Sequence, residues 1–320
     1  MSNYYLILVW VAVAGVLGMM LQVKRIETVN GKKVCRYQPW WALVVILPLI
    51  IWTGFRGYVA DTGSYIQMYA EIPGGFGNIP SYMTTVDKDR GFNFLSVVIK
   101  SIFGSNVNIY LLLLGAVQAI LLFRIYRKYS TRYMISFFLF IASTDYVSWM
   151  FNGIRQFTAA TITFACFELI LEKKYVPATI IILIASTIHG SALLVLPFIF
   201  IVQGDAWNKK TLPFIAGVIL VIAFVGQFTD ILDTLLAETK YKNVVSDWQD
   251  WEDNGTNAIR VLIYAVPAIL SLIGFRYIKS ANDPVINLCT NMSIVSVGFY
   301  VVSMFTSGVF IGRLPIYFSL

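Results

Sequence analysis

Long apolar segments recur along this chain and constrain its fold more than any motif does. The segments from Tyr4 to Gln22 and from Val285 to Phe305 contain no charged residue. A membrane-spanning helix needs about 20 such residues. Because 58% of the residues are hydrophobic and 13% are charged, one soluble core cannot hide the apolar side chains. The sequence therefore predicts an all-α, polytopic integral membrane protein.

We predict one membrane domain over residues 1–320, built from about 10 transmembrane or partial-span helices. The predicted segments are Tyr4–Gln22, Trp40–Phe55, Asn106–Phe123, Tyr133–Met150, Ile154–Leu171, Tyr175–Ile188, Ser191–Val202, Thr211–Phe228, Ala258–Phe275 and Val285–Phe305. The first lacks a basic region before it and a small-residue cleavage site after it. We therefore expect a retained anchor rather than a signal peptide.

The distribution of charge predicts the orientation. If the N-terminus lies outside, the inner loops carry 15 of the 24 Lys and Arg residues but only four of the 17 acids. An excess of basic residues in cytoplasmic loops is the usual pattern for membrane proteins. The outer loops then lie at about 56–92 and 229–257. The net charge of +7 is thus explained by topology, and we expect no nucleic-acid partner.

Two stretches are predicted to contain helices that do not cross the bilayer alone. The stretch from Tyr175 to Val202 is either one long tilted helix or two short helices that meet at His189 and Gly190, and the charge distribution favours the break. His189, the only histidine, would then lie at membrane depth beside a cavity. The stretch from Phe92 to Phe103 is predicted to be a re-entrant or interfacial helix.

Arg155 is the strongest candidate for binding an anion. It falls in the first turn of a predicted helix, with Asn152 placed to cap that helix. A cation is unfavourable at this positive end, unless an anion is bound by both the helix dipole and the guanidinium. A forked guanidinium suits a diphosphate. The competing interpretation is that Arg155 reaches lipid headgroups or pairs with Asp145.

Other polar residues of the predicted outer side add to this candidate site. Arg56 and Arg313 are further outward cations in a chain with few charges, which favours a polyanionic ligand over headgroup contacts. Asp61 could act as a general base toward a sugar hydroxyl. His189 could serve as a proton shuttle or phosphate contact, although a lone histidine is more often structural.

Several chemistries have no support in the sequence. Cys35, Cys166 and Cys289 show no CxxC spacing, so neither a disulfide framework nor a metal site is predicted. The chain has no P-loop, HExxH, GxSxG or Rossmann fingerprint. We therefore expect no cofactor and no nucleotide-driven reaction.

A set of residues spread over nearly the whole chain forms a recognisable pattern. They are Arg56, Asp61, Tyr65, Asp89, Gly91, Phe92, Asn152, Arg155, Gln156, Ala159, His189, Ser191, Ala192, Arg313, Tyr317 and Phe318. In these residues and their order the chain resembles the EpsG family, a branch of the Wzy-type polysaccharide polymerases of bacterial exopolysaccharide and capsule assembly. The family usually has glutamate where this chain has Asp89. Its members usually continue beyond the stretch that ends here at Leu320, so we expect a further terminal helix.

The resemblance implies a glycosyltransferase with a GT-C-like polymerase architecture in the bacterial inner membrane, its active site facing outward. It would transfer a growing oligosaccharide from undecaprenyl diphosphate to another lipid-linked repeat unit without a metal. Arg155 would bind the diphosphate, supported by Arg56 and Arg313, and Asp61 or His189 would be the base. Asn152, Gln156, Tyr65 and Asp89 would support substrate binding. The expected partners are the lipid-linked oligosaccharide, the bilayer, and a flippase and chain-length regulator of the same pathway.

Two other functions remain open on the sequence alone. A transporter or flippase of lipid-linked oligosaccharide also uses broken helices with polar residues in a cavity. However, the polar residues here gather on one side, and the hydropathy shows no internal repeat. A ligase for surface polymers would share a lipid-facing cavity but would make one transfer to a different acceptor.

Overall fold

The computed structural model of the chain describes residues 2–29, 32–236 and 255–320. Apart from one β-hairpin, these residues form helices and their connections. The chain comprises two compact units. The first contains Met1–Phe167 and Ile181–Ala192, and the second contains Glu168–Ile180 and Leu193–Leu320. The all-α prediction is confirmed, whereas the prediction of a single membrane domain stays a prediction.

The first unit contains the hairpin and the longest run of helices. Its strands are β1 (Lys24–Val29) and β2 (Lys32–Tyr37). Its helices are α1 (Ser2–Met20), α2 (Pro39–Gly54), α3 (Thr62–Glu71), α4 (Ile79–Thr85), α5 (Arg90–Phe103), α6 (Val107–Tyr129), α7 (Tyr133–Ala142), α8 (Asp145–Phe151) and α9 (Ile154–Ala165). A short helix, α10 (Phe167–Leu171), and the next, α11 (Tyr175–Ile188), contain residues of both units.

The second unit continues with further apolar helices. They are α12 (Val195–Ile201), α13 (Thr211–Ala223), α14 (Val225–Leu236), α15 (Ala258–Ile273), α16 (Phe275–Ala281), α17 (Pro284–Met304) and α18 (Ile316–Ser319). Single turns of 3₁₀ helix lie at Phe76–Asn78, Gly190–Leu194 and Ile311–Arg313. Most of the predicted outer loop at 229–257 lies outside the described residues, and α14 occupies its beginning.

Three described helices are long and apolar enough to cross a membrane: α1 over Asn3–Met20, α6 and α17. Three helix pairs meet the same criteria only together, with bends of 71° between α7 and α8, 99° between α13 and α14, and 69° between α15 and α16. Counting each pair as one span gives up to six. The chain is therefore a polytopic membrane protein, but several predicted straight segments are broken.

The breaks correct three predicted segments. The segment predicted over Thr211–Phe228 is divided where α13 ends at Ala223 and the chain bends by 99° into α14. The segment predicted over Tyr133–Met150 bends at Thr144, which has a φ of 56°, and the segment over Ile154–Leu171 is interrupted at Cys166 between α9 and α10. Hydropathy does not reveal the interruption at Cys166, because its neighbours Ala165 and Phe167 are apolar. The break at Thr144 does have a signal in the sequence, since Ser143, Thr144 and Asp145 are polar. The predicted break at His189 is confirmed, since α11 ends at Ile188 and a 3₁₀ turn begins at Gly190.

The hairpin formed by β1 and β2 was not predicted from the sequence. Lys24 pairs with Tyr37 and Val29 with Lys32 in an antiparallel register. Arg127 at the end of α6 donates from Nε to the Tyr37 carbonyl at 2.6 Å. The nearby guanidinium of Arg36 donates to the Lys128 carbonyl at 3.1 Å. Charged side chains thus attach the hairpin to α6.

Small residues allow the helices of the first unit to approach closely. A Cβ on Gly115 of α6 would collide with Thr53 of α2, and one on Gly54 would lie 2.6 Å from the Leu112 Cβ. Close approach of backbones at small residues is a main source of helix packing in membranes. In the second unit Gly298 of α17 plays a similar part, because a Cβ there would lie 2.5 Å from Phe214.

Replacing Gly115 with alanine should destabilise the protein by about 1–3 kcal/mol, because the new methyl group overpacks the contact with Thr53. Thermal unfolding in detergent, followed by tryptophan fluorescence, measures the change. Gly217→Ala is the control, since a Cβ at that helical position meets nothing within 4 Å and should be neutral or stabilising. An equal or greater loss in Gly217→Ala would contradict the packing explanation.

Candidate functional site

The junction between α8 and α9 forms the centre of the candidate site. Gly153 precedes α9 with a φ of 72°, which glycine adopts without the strain that a Cβ brings. A Cβ there would also lie 3.0 Å from the Trp149 ring. The predicted position of Arg155 in the first turn of α9 is confirmed, because the helix begins at Ile154.

The predicted capping role of Asn152 is wrong. Gly153 occupies the cap position, and no side chain caps α9. Asn152 instead ends α8, where its N–H donates to the Ser148 carbonyl at 2.7 Å. The left-handed residue between Asn152 and Ile154 leaves the asparagine one position too far from the helix. Its Oδ1 is buried and has no hydrogen-bond partner among the described residues.

Asp61 and Tyr65 supply the acceptors that Asn152 does not. The Gly153 N–H donates to Asp61 Oδ2 at 3.2 Å, and the Arg155 N–H donates to the Tyr65 hydroxyl at 3.3 Å. The first N–H groups of a helix have no partner within it, so these two side chains satisfy groups at the start of α9. Residues from the predicted outer loop and from the Asn152–Gln156 stretch are thereby brought together.

Arg155 forms an ion pair with Asp89. Its Nη1 donates to Asp89 Oδ2 at 2.8 Å, and the side chains are 38% and 2% exposed, respectively. The guanidinium carbon also lies 5.9 Å from the centre of the Tyr65 ring. Asp89 therefore orients Arg155 while one side of the guanidinium stays open to ligand. The proposed pairing of Arg155 with Asp145 is replaced by this longer-range contact.

Arg56 is the least compensated cation of the site. It is 8% exposed, and it donates from Nη1 to the Met150 carbonyl while its guanidinium carbon lies 4.9 Å from the centre of the Phe151 ring. Its Nε has no hydrogen-bond partner in the described part of the chain. Burial lowers the pKa of Arg56 to about 10, although Tyr65 and Tyr110 oppose the shift.

Both guanidiniums lie within electrostatic reach of Tyr65. Arg155 has Asp89 as its counterion, but no ion pair forms between Arg56 and any described carboxylate. A buried cation without a counterion is costly, and an anion bound near Tyr65 would offset that cost. The geometry is therefore that of an anion site next to a helix N-terminus.

The remaining predicted residues occupy different places. Gln156 is buried on α9. His189 follows the end of α11, and its Nδ1 shares a hydrogen bond with the Ser191 hydroxyl at 2.7 Å. A Cβ on Gly91 of α5 would collide with Thr187 of α11, so Asp89 and His189 each lie two residues along the chain from that contact. Arg313 lies in the second unit, in a 3₁₀ turn, and its predicted role stays a prediction.

Sequence reasoning missed two buried polar residues that support the site. Gln118 of α6 donates to the Thr158 hydroxyl at 2.8 Å and to the Ile154 carbonyl at 3.3 Å, which fixes the start of α9. Lys100 donates to the carbonyls of Tyr69 and Ala70 at 2.7 and 2.9 Å and thereby holds the end of α3. The available signal for Gln118 was a polar residue within the apolar centre of α6, and for Lys100 it was a charged residue that follows three apolar residues in α5.

The described ranges 2–29, 32–236 and 255–320 contain no group of three or more His, Cys, Asp or Glu residues that could hold a metal ion. The residues at the start of α9 are instead guanidiniums, carboxylates and hydroxyls. Such groups bind and orient oxyanions through charge-assisted hydrogen bonds. They can also accept a proton through a carboxylate.

Residues 40–320 match the EpsG family. The chain belongs to the EpsG family, whose members are proteins similar to the Wzy-type polymerases of exopolysaccharide. Neither a curated protein nor a solved structure matches the chain. The predicted resemblance is thus confirmed, and the match includes every residue of the candidate site. The GT-C-like arrangement stays a prediction.

Replacing Asp89 with asparagine should destabilise the protein by about 1–3 kcal/mol, because it removes the counterion of a partly buried guanidinium. Asp87→Asn is the matched control, since Asp87 is exposed and should change stability by less than about 0.5 kcal/mol. Thermal unfolding of both variants in the same detergent makes the comparison. Equal stability of the two variants would show that the ion pair does not hold Arg155.

Proposed function

We propose that the chain is a polysaccharide polymerase, which transfers a lipid-diphosphate-linked oligosaccharide onto another lipid-linked repeat unit at the outer face of the bacterial inner membrane. Membership of the EpsG family supports the reaction class. The observation that carries the donor assignment is Arg56, a buried guanidinium with no ion-pair partner among the described residues. The distribution of basic residues between the predicted loops supports the outward orientation.

The proposed reaction is a displacement at a sugar carbon. A hydroxyl of the acceptor's non-reducing sugar attacks the anomeric carbon of the donor chain, and a new glycosidic bond forms. The bond from that carbon to the diphosphate oxygen breaks, and the electron pair leaves with undecaprenyl diphosphate. The hydroxyl proton passes to a base on the protein. Negative charge therefore grows on the leaving diphosphate as the reaction proceeds.

Arg155 suits the stabilisation of that growing charge. It projects from the first turn of α9, where the helix dipole favours anions, and Asp89 fixes its guanidinium before substrate arrives. Donors that are fixed in advance stabilise developing charge more than ground-state charge. Arg56 is buried against Met150 and Phe151 and has no counterion among the described residues. Arg313 remains a third diphosphate contact on sequence grounds alone.

Asp61 is our first choice for the base, with His189 the second. One carboxylate oxygen of Asp61 accepts the Gly153 N–H, and the other has no hydrogen-bond partner in the described part of the chain. That free oxygen could take the proton of an acceptor hydroxyl beside Arg155. His189 could instead contact phosphate in its protonated form.

The proposal predicts that purified protein, given lipid-linked repeat units and no nucleotide, produces a ladder of polymer on a sizing gel. Arg155→Gln should lower the rate by about 100-fold or more, because one preorganised donor to the leaving group is lost. Arg90→Gln is the matched control, since Arg90 is exposed and its guanidinium bonds only the Met83 carbonyl at 3.1 Å. A single transfer to a different acceptor would indicate a ligase, and transport without chain growth would indicate a flippase.

Asp61→Asn should lower polymerisation by about 100-fold or more while keeping an acceptor for the Gly153 N–H. His189→Ala should have a smaller effect if Asp61 is the base. Initial rates measured over a range of pH distinguish Asp61 from His189 as the base. Removal of the true base also removes the rise of the rate with pH that its deprotonation causes. Parental rates in both variants would mean that neither residue is the base.

A further inference from the structure

An open cavity of about 440 Å³ lies between the hairpin, the connection from α6 to α7 and the start of α7. It lies wholly within the first unit. Its lining includes Lys24, Arg36 and Tyr37 from the hairpin and Arg132, Tyr133 and Met134 at the start of α7. Those from the hairpin precede residue 40, where the match to the EpsG family begins. The lining shares no residue with the site at α9, so the two are separate.

The charge of the lining is entirely positive. Lys24, Arg36 and Arg132 line the cavity, and none of the lining residues is acidic. Lys24 lies 4.9 Å from the centre of the Tyr37 ring, and none of the three cations forms an ion pair with a described carboxylate. The nearest acid, Glu27, is already paired with Arg25 and Arg127. The cavity therefore offers three cations to an incoming anion.

Arg36 distinguishes this cavity from an ordinary basic surface, because its side chain is buried. It is 8% exposed, and its Nε is held by the Lys128 carbonyl at 3.1 Å. Its two terminal nitrogens form no hydrogen bond with the described residues, and Arg36 is one of the residues that line the cavity. Burial lowers the pKa of Arg36, and the carboxylate of Glu27 only partly offsets this. A bound anion would supply the missing counterion.

The start of α7 adds backbone donors to these side chains. Tyr133 and Met134 are the first residues of this 10-residue helix, and N–H groups in the first turn have no partner within the helix. A helix N-terminus beside a guanidinium is a common setting for phosphate. The combined donors therefore favour a phosphate group over a carboxylate or a neutral ligand.

The position of the cavity selects the source of that phosphate. The hairpin connects the apolar helices α1 and α2, and Met20, Leu21 and Trp40 beside it are exposed. Exposed apolar residues and a tryptophan next to basic residues are typical of the membrane interface. A lipid headgroup is present at that depth at high local concentration, whereas a soluble phosphate must reach it from water.

We propose that this cavity binds the phosphate headgroup of an anionic membrane lipid through Lys24, Arg36 and Arg132. The headgroup phosphate lies between the hairpin and the first turn of α7, and the acyl chains extend along the apolar surface beside the hairpin. The binding is independent of the polymerase reaction, and it anchors the hairpin to the membrane surface.

Native mass spectrometry of the purified protein, titrated with phosphatidylglycerol or phosphatidylcholine, tests this proposal. The parental protein should retain phosphatidylglycerol in preference to phosphatidylcholine. The double variant K24Q/R132Q should weaken phosphatidylglycerol binding by about tenfold or more. Both side chains are exposed, so the variant should fold, and circular dichroism checks this. Lys33→Gln is the control, because Lys33 is an exposed cation of the same hairpin that does not line the cavity.

Three results would overturn the proposal. Equal weakening by Lys33→Gln would mean that general charge, not the cavity, attracts the lipid. Unchanged binding in K24Q/R132Q would remove the cavity from recognition. Displacement of phosphatidylglycerol by glycerol 1-phosphate at equal concentration would assign the site to a soluble phosphate. The proposal is supported if K24Q/R132Q weakens phosphatidylglycerol binding, Lys33→Gln does not, and glycerol 1-phosphate fails to displace the lipid.

Discussion

A guanidinium is costly to bury in apolar surroundings unless an anion or a set of acceptors accompanies it, and the first unit is organised around two such groups. Arg155 has Asp89 as its counterion, although 66 positions separate them in the chain. Arg56 has the Met150 carbonyl and the Phe151 ring. These contacts tie the start of α9 to the segments that flank α2 and α5. The arrangement leaves one cation without a counterion, which is the physical basis for an anionic substrate.

These segments are positioned by helices whose backbones pack closely together at glycine residues. Gly115 and Gly54 let α2 and α6 pack together, while Gly91 lets α5 meet α11 at Thr187. The unexpected hydrogen bonds of Gln118 then link α6 to the start of α9. Because each of these contacts joins elements that are distant in sequence, the position of the site depends on packing of the whole first unit. Residues that never touch a substrate therefore help to set its geometry.

The basic cavity beside the hairpin follows the same electrostatic rule in a different setting. At the start of α9 the cations are surrounded by aromatic rings and buried polar groups, which suits the binding of a reacting group. Beside the hairpin they lie next to exposed apolar residues, which suits a lipid headgroup. Arg36 and Arg56 are equally buried, so their surroundings, rather than their burial, distinguish the two sites.

The sequence alone determined the membrane class, the family, the break at His189 and the position of Arg155 in the first turn of α9. Each follows from local composition, spacing or motif order, which the residues themselves carry. Only the tertiary structure decided that Asp89 pairs with Arg155, that Asp61 and Tyr65 rather than Asn152 satisfy the start of α9, and that the segment over Ile154–Leu171 is interrupted at Cys166. Such choices depend on which buried donors and acceptors meet across distant segments, and one-dimensional hydropathy contains no information about those encounters.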